Sequence, residues 1–263
     1  MRQVQAAMTF SDVGLPFSFE TAVLLENLED PEITIADLGE LSLNASSKLR
    51  SLAIMALLSK GDRILFAHNL TRSGRVRLSY LDRLRRERLE DEHHGVSGRI
   101  DGQLDAVAAS DLDLARKIVA ASRTSWLEES EYLEDYCYAQ LVHRLVTGEG
   151  ELGSVEALTR QFEGALDGQP SARLEVCQTL RNRDQSGFDE AFDALIRGRQ
   201  AQIEADKARF QQEEADIMAQ RLIFVEGLAV LRLATLYGLR TESEYLFCPS
   251  LARLTEPVAL PEL

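Results

Sequence analysis

The sequence of 263 residues predicts an all-α protein, built as a compact stack of antiparallel helical hairpins like an α-solenoid or a tetratricopeptide repeat protein. Proline usage is the first reason. The six prolines leave residues 32–169 and 171–248 without one, and proline-free stretches of that length favour helices. The second reason is that alternating β-branched runs are scarce, with residues 32–35 as the one short strand candidate.

Aspartates that follow a predicted helix end supply the third reason. Asp62, Asp111 and Asp184 each stand where one helix ends and the next begins. A carboxylate there accepts backbone N–H groups that lack a partner in the first turn, and it favours the helix dipole. Repetition of this signal is typical of stacked helical hairpins. The spacings of 49 and 73 residues are unequal, so we predict hairpins without a formal repeat.

Apolar residues that recur every 3.6 positions place the helices of the first half of the chain. These helices are predicted at residues 19–28, 44–59, 62–89, 98–109 and 111–122. Gly61 is a typical C-terminal cap for the second of them. Ser73-Gly74 is a candidate break in the third, and residues 90–98 read as a polar linker.

The same period predicts the helices of the second half at residues 131–146, 154–166, 172–183, 187–214 and 216–237. The last of these is apolar around nearly its whole circumference, which predicts a central buried helix. Gly227 in its interior suggests a close approach of another helix, because glycine is otherwise unfavourable there. We expect Glu226 and Arg232 each to find a partner, since an unpaired buried charge is costly.

The element pattern divides the chain into three parts. Residues 1–40 form an N-terminal extension with one helix, residues 41–250 an all-helical domain, and residues 251–263 an irregular tail.

The first residues lack the apolar run of a signal peptide. The apolar stretch at residues 222–231 is too short and too charged to span a bilayer. We therefore expect a cytoplasmic protein that does not bind membranes.

Charge and cysteine content limit the classes of partner and of structural site that the chain is expected to have. The chain has 43 acidic and 29 basic residues, a formal net charge of −14, which disfavours nucleic acid and anionic lipid and favours basic protein partners. Cys137, Cys177 and Cys248 are odd in number and have no C-x-x-C spacing, so neither a disulfide framework nor a zinc site is expected. Buried free thiols are the simpler interpretation.

The motif search indicates no enzyme, cofactor or metal site. Residues 148–153 match G-x-G-x-x-G, but the motif follows a helix and contains Glu149 and Glu151, so a loop is the better interpretation. P-loop, H-E-x-x-H and G-x-S-x-G motifs are absent from the sequence. His93 and His94 fall in the polar linker, where solvation is expected.

Residues 126–138 are rich in acidic and aromatic side chains. Glu131, Glu134, Asp135 and Tyr138 follow the spacing of one helical face. Three interpretations stay open: a cation or acid–base site, pairing with arginines of neighbouring helices with Tyr132, Tyr136 or Tyr138 in the core, and an acidic surface that binds a partner. The candidate partner-binding residues are Glu128, Glu129, Glu131, Glu134 and Asp135, and no catalytic residue is assigned.

The basic counterpart is residues 62–88, which contain eight arginines and carry a local charge of +5. We expect these arginines to pair with the acidic helices. An RNA-binding helix is the alternative, but Phe66 and Tyr80 are the two aromatic residues available for stacking.

Four segments in order along the chain resemble one known family, the immunity protein 49 family of bacterial polymorphic toxin systems. The segments are residues 108–118, 131–139, 179–188 and 225–234. The resemblance spans about residues 45–250. It implies an all-helical protein that is encoded beside a toxin, binds it and neutralises it, without catalytic activity of its own.

The leading hypothesis is therefore a cytoplasmic immunity protein that occludes the active site of a cognate secreted toxin. Its net charge of −14 suits a basic partner such as a nuclease that acts in the cytoplasm. A helical scaffold that binds peptides or regulatory proteins is a second hypothesis. An enzyme that uses the carboxylate-rich segment with a divalent ion is a third.

Overall fold

The computed structural model describes residues 10–28, 30, 32–89, 92–148, 152–209 and 215–259. Within these ranges the chain is all-helical, with eleven α-helices, two short 3-10 helices and no strand. The α-helices are α1 (Phe10–Leu28), α2 (Ile35–Lys60), α3 (Arg63–Glu87), α4 (Asp101–Ala108), α5 (Leu112–Ala121), α6 (Leu133–Thr147), α7 (Leu152–Ala165), α8 (Ala172–Asn182), α9 (Gln185–Arg209), α10 (Ala215–Leu222) and α11 (Val225–Leu236). The 3-10 helices are His93–Gly95 and Ser250–Ala252.

Parts of some predicted elements lie outside the described residues. These are residues 1–9, 29 and 31 of the N-terminal extension, residues 90–91 of the polar linker, the centre of the glycine-rich loop at 149–151, the end of the predicted helix 187–214 at 210–214, and the last four residues of the tail. In the described ranges no helix is long and apolar enough to cross a membrane.

The predicted aspartate caps are confirmed. The side chains of Asp62, Asp111 and Asp184 accept hydrogen bonds from the backbone N–H groups three residues further on, at 2.9, 3.0 and 3.1 Å. Thr34 caps α2 in the same way by accepting from the N–H of Asp37. The strand candidate at residues 32–35 is therefore a helix start, and α2 continues through residue 40 without interruption.

Helix α3 runs unbroken through Ser73-Gly74, so the candidate break there is wrong. The glycine instead allows α4 to approach closely. A Cβ at Gly74 would lie 3.0 Å from the carbonyl oxygen of Gly102 and 2.9 Å from a methyl carbon of Leu114. α3 accordingly packs against α2, α4 and α5.

One apolar core connects α2 to α11. Its largest fully buried side chains include Phe66, Tyr80, Phe162, Phe188 and Phe192. The three cysteines are buried free thiols, as predicted. Burial raises the pKa of Cys137 to about 11 and of Cys248 to about 12, so both thiols stay protonated and unreactive at neutral pH.

The predicted helix at residues 216–237 is two helices, α10 and α11, with a break at Ile223-Phe224. The Phe224 N–H donates to the carbonyl of Phe247 at 2.9 Å, so it is not available to continue the helix. Gly227 also faces this returning segment. A Cβ there would lie 2.7 Å from the sulfur of Cys248, so the close approach is made by a loop and not by the expected helix.

Candidate partner-binding site

An open cavity of about 530 Å³ lies between the start of α4 and the segment that leads into α6. Its lining residues are Val96, Gly98, Arg99, Asp101, Glu128, Glu129, Ser130, Glu131, Tyr132 and Asp135. Four of the five predicted partner-binding residues are in this lining. The fifth, Glu134, is exposed in the first turn of α6.

Glu131 holds the two sides of the cavity together. Its Oε2 atom accepts a hydrogen bond from the N–H of Gly98 at 2.7 Å, and the Trp126 indole N–H donates to its backbone carbonyl at 3.1 Å. A Cβ at Gly98 would lie 3.0 Å from the Cβ of Asp135, so only glycine fits without displacement. Burial raises the pKa of Glu131. This carboxylate is therefore mainly structural.

Asp135 belongs to an ion-pair network that joins α6, α8 and α11. Its carboxylate lies 3.6 Å from the guanidinium of Arg173, which also binds both carboxylate oxygens of Glu226 at 2.8 and 2.9 Å. The Tyr138 hydroxyl donates to Glu226 at 2.8 Å. Burial and the nearby Glu226 carboxylate raise the pKa of Tyr138 well above its usual value. The expected partner for Glu226 is confirmed.

Arg232, unlike Glu226, has a side-chain nitrogen without a partner in the part of the chain that the structure describes. Its Nε atom is buried and has no hydrogen-bond partner among the residues that the structure describes. Desolvation lowers its pKa. The expected partner for Arg232 is therefore not seen at this nitrogen; Glu256 supplies a favourable charge that partly offsets desolvation, and the arginine that meets Glu226 comes from α8.

Three carboxylates of the acidic segment face solvent. Glu128, Glu129 and Glu134 are exposed, and none forms an ion pair within the described part of the chain. Tyr132 is 77% exposed, whereas Tyr136 and Tyr138 take the buried positions that the pairing interpretation allows for one or more of the three tyrosines. The segment thus combines two carboxylates that hold the backbone with three that face solvent.

The predicted helical face of four residues is only partly correct. α6 begins at Leu133, so Glu131 lies outside the helix and Tyr132 occupies its N-cap position. The Tyr132 side chain makes no capping hydrogen bond. Tyr132 therefore lies on the surface at the start of α6, and the 3.6-residue spacing does not predict this position.

A second ion-pair network, centred on the buried Asp105, extends from the cavity wall into the core, and the sequence does not predict it. The Arg50 guanidinium donates through Nε to Asp105 at 2.7 Å and through Nη1 to Asp101, a cavity residue, at 3.0 Å. The Ser73 hydroxyl donates to Asp105 at 2.5 Å. The network connects α2, α3 and α4. Its one signal in the sequence is that Asp105 interrupts an apolar stretch, Leu104 to Ala109.

The arginines of residues 62–88 do not pair with the acidic helices, so that prediction is wrong. Within the described chain one of the eight forms an ion pair, Arg83 with Glu87 of the same helix at 2.8 Å. Arg77 is buried and donates to the backbone carbonyls of His94 and Val96 at 2.7 and 3.0 Å. α3 packs between other helices, so its long side chains reach the carbonyl groups of connecting segments.

Comparison with known proteins relates the chain to one protein family. The family model of Immunity protein 49 matches residues 37–252, a range that contains both sides of the cavity and both ion-pair networks. No curated protein and no solved structure matches the chain. Because the matched range covers most of the sequence, the chain belongs to the Immunity protein 49 family.

Proposed function

We propose that this protein is a non-enzymatic immunity protein that binds a cognate toxin and blocks its active site through the acidic cavity. The carrying observation is the group of free carboxylates, Glu128, Glu129 and Glu134, beside the exposed ring of Tyr132. Family membership supports the immunity role. The cavity supplies a concave surface with fixed backbone and unpaired negative charge.

The charge of the cavity favours a basic toxin surface. Carboxylates in fixed positions on this protein would occupy the groove of the toxin that normally holds phosphate. This arrangement suits a nuclease or a similar effector that acts in the cytoplasm. Long-range attraction from a net charge of −14 accelerates the encounter and weakens as salt is added. Tyr132 adds a large apolar contact, and tyrosine is enriched among residues that dominate binding energy.

The anchored carboxylates support affinity indirectly. Glu131 and Asp135 fix the backbone on which the free carboxylates stand. A surface that is ordered before binding loses less conformational entropy when the partner docks. Nucleic acid and membrane surfaces, which are themselves anionic, are disfavoured partners for such a site.

The proposed binding unit is the helical domain of residues 41–250, arranged as stacked antiparallel hairpins around an apolar C-terminal helix. Three observations support it. Consecutive helices pack on each other in the pairs α2–α3, α6–α7 and α8–α9. Most positions of α11 are buried. The family match at residues 37–252 lies close to the proposed unit.

The test begins with capture of the partner. Tagged protein is purified from its native host, the bound protein is identified by mass spectrometry, and that protein is expressed alone in a sensitive bacterium. Growth arrest that is reversed by co-expression of this chain is the expected result. Arrest without rescue contradicts the immunity function, and several unrelated partners would indicate a helical scaffold.

The surface is tested separately by charge reversal. The double variant Glu128→Lys, Glu129→Lys is compared with Glu190→Lys, Asp193→Lys, because all four side chains are exposed and both variants change the net charge equally. We expect the first variant to weaken toxin binding at least about tenfold and the second to leave it nearly unchanged. The wild type could rescue growth while both double variants bind the toxin with equal affinity. That result would reject the cavity as the binding surface but would still support the immunity function.

A further inference from the structure

Three consecutive residues in the connection between α3 and α4 bring metal-ligating atoms together. One atom each from the carboxylate of Glu92 and the imidazoles of His93 and His94 lie within 4.8 Å of one another. The two imidazole rings have their centroids 3.7 Å apart. Two imidazoles and one carboxylate are a ligand set that transition metals commonly occupy in proteins.

Two of the three side chains are held in place by other elements. The Glu92 carboxylate accepts hydrogen bonds from the Tyr80 hydroxyl of α3 and from the backbone N–H of His94. The His94 ring rests on α2 at Gly39, where a Cβ would overlap the ring. His93 is 54% exposed by side chain and is free to adjust, with its Nδ1 atom 3.3 Å from a Glu92 oxygen.

The His94 ring has a polar atom that the fold leaves unexplained. Its Nδ1 atom is buried and has no hydrogen-bond partner among the described residues. A buried polar atom without a partner is destabilising, and a bound ion or water can complete it. The expectation of two solvated linker histidines therefore holds for His93 and is wrong for His94.

We propose that Glu92, His93 and His94 form a binding site for a divalent transition metal of the zinc class. Three protein ligands leave one tetrahedral position for water. Nitrogen donors favour such a metal over Mg²⁺ or Ca²⁺, which require mostly oxygen ligands. Around tetrahedral zinc the ligand atoms lie roughly 3.4 Å apart, so the exposed His93 ring moves inward on binding.

A metal here ties the connection to both α2 and α3. The carbonyls of His94 and Val96 already accept hydrogen bonds from the buried Arg77. Val96 and Gly98 line the acidic cavity a few residues further on. The metal site is nevertheless separate from the proposed toxin contact, because none of its three residues lines that cavity.

The test uses the full chain without a polyhistidine tag. Isothermal titration with Zn²⁺ is expected to show one site per chain, with a matching rise in melting temperature that Mg²⁺ does not produce. His93→Ala should weaken Zn²⁺ binding at least about tenfold. Since His93 is exposed, this variant keeps the fold, which circular dichroism verifies.

Two further variants sharpen the result. Glu92→Gln removes a ligand charge but keeps the side-chain length, and it should also weaken binding. His68→Ala, a histidine of α3 outside the site, should bind Zn²⁺ like the wild type. The proposal is overturned if the wild type shows no stoichiometric binding at micromolar protein concentration. It is equally overturned if His93→Ala binds as well as the wild type or if His68→Ala loses as much affinity.

Discussion

Replacement of Asp105 by alanine tests the ion-pair network that is centred on this residue. The Asp105 carboxylate is fully buried and accepts hydrogen bonds from Arg50 at 2.7 Å and Ser73 at 2.5 Å. Removal of one partner from a buried ion pair costs about 3–5 kcal/mol, because the other charge remains buried. Arg50 keeps its bonds to the Asp101 carboxylate and carbonyl at 3.0 and 2.9 Å. We therefore expect the lower end, a loss of about 3 kcal/mol in the free energy of unfolding.

Thermal and urea unfolding, followed by circular dichroism, measure this loss. At about 2–4 °C per kcal/mol for a chain of this size, the melting temperature should fall by about 6–12 °C. Asp113→Ala is the matched control, because Asp113 also pairs with an arginine, Arg116, at 3.1 Å, but its side chain is 86% exposed. The control should lose less than about 1 kcal/mol. A loss that small for Asp105→Ala, or equal losses in both variants, would refute the structural importance of the network.

Two further predictions concern His143 and the glycines of the second half of the chain. His143 is buried, and desolvation lowers its pKa from 6.5 to about 4, so the unfolded state takes up a proton first as the pH falls. Stability should therefore decrease on acidification, by about 2 kcal/mol between pH 7 and pH 5 from this residue. Urea unfolding of His143→Gln at both pH values should show a change smaller by that amount, and an unchanged pH dependence would contradict the assignment. Gly227→Ala should destabilise by about 1–3 kcal/mol, because its Cβ would meet the Cys248 sulfur at 2.7 Å. Gly198→Ala in α9 meets no atom within 4 Å and should stabilise by about 0.4–1 kcal/mol, so equal effects of the two glycine changes in thermal unfolding would argue against the close loop contact.

The parts of the fold that sequence reasoning predicts depend on local signals. Asp62, Asp111 and Asp184 cap helices through backbone groups three residues away, so the signal and its effect lie in one short segment. The break before α11 depends on a hydrogen bond from the Phe224 N–H to the Phe247 carbonyl. The sequence around Phe224 contains no local signal that predicts this break. An apolar run with helical periodicity therefore predicted one helix where long-range contact produces two.

The candidate site was predictable in composition but not in the roles of its residues. Sequence spacing treated Glu131 and Glu134 as equivalent, yet Glu131 binds the Gly98 N–H whereas Glu134 is exposed. The sequence pattern does not distinguish Tyr132 from Tyr136 and Tyr138 as a core candidate, because periodicity does not reveal that α6 starts after Tyr132. The role of Glu131 depends on Gly98, a distant residue that the local pattern does not contain.

If the protein binds a basic toxin as proposed, the division of the acidic segment into anchored and free carboxylates gives a physical basis for selectivity. Net charge attracts any basic surface and so raises association rates without discriminating among partners. Discrimination requires charges in fixed positions, because a mismatched partner then leaves desolvated carboxylates unpaired. Glu131 and Asp135 use hydrogen bonds and an ion pair to fix the backbone, and Glu128 and Glu129 extend from that backbone into the cavity. Under the proposed function, the anchored carboxylates would set which basic surface fits, while the three free carboxylates and the overall charge would set the affinity and the association rate.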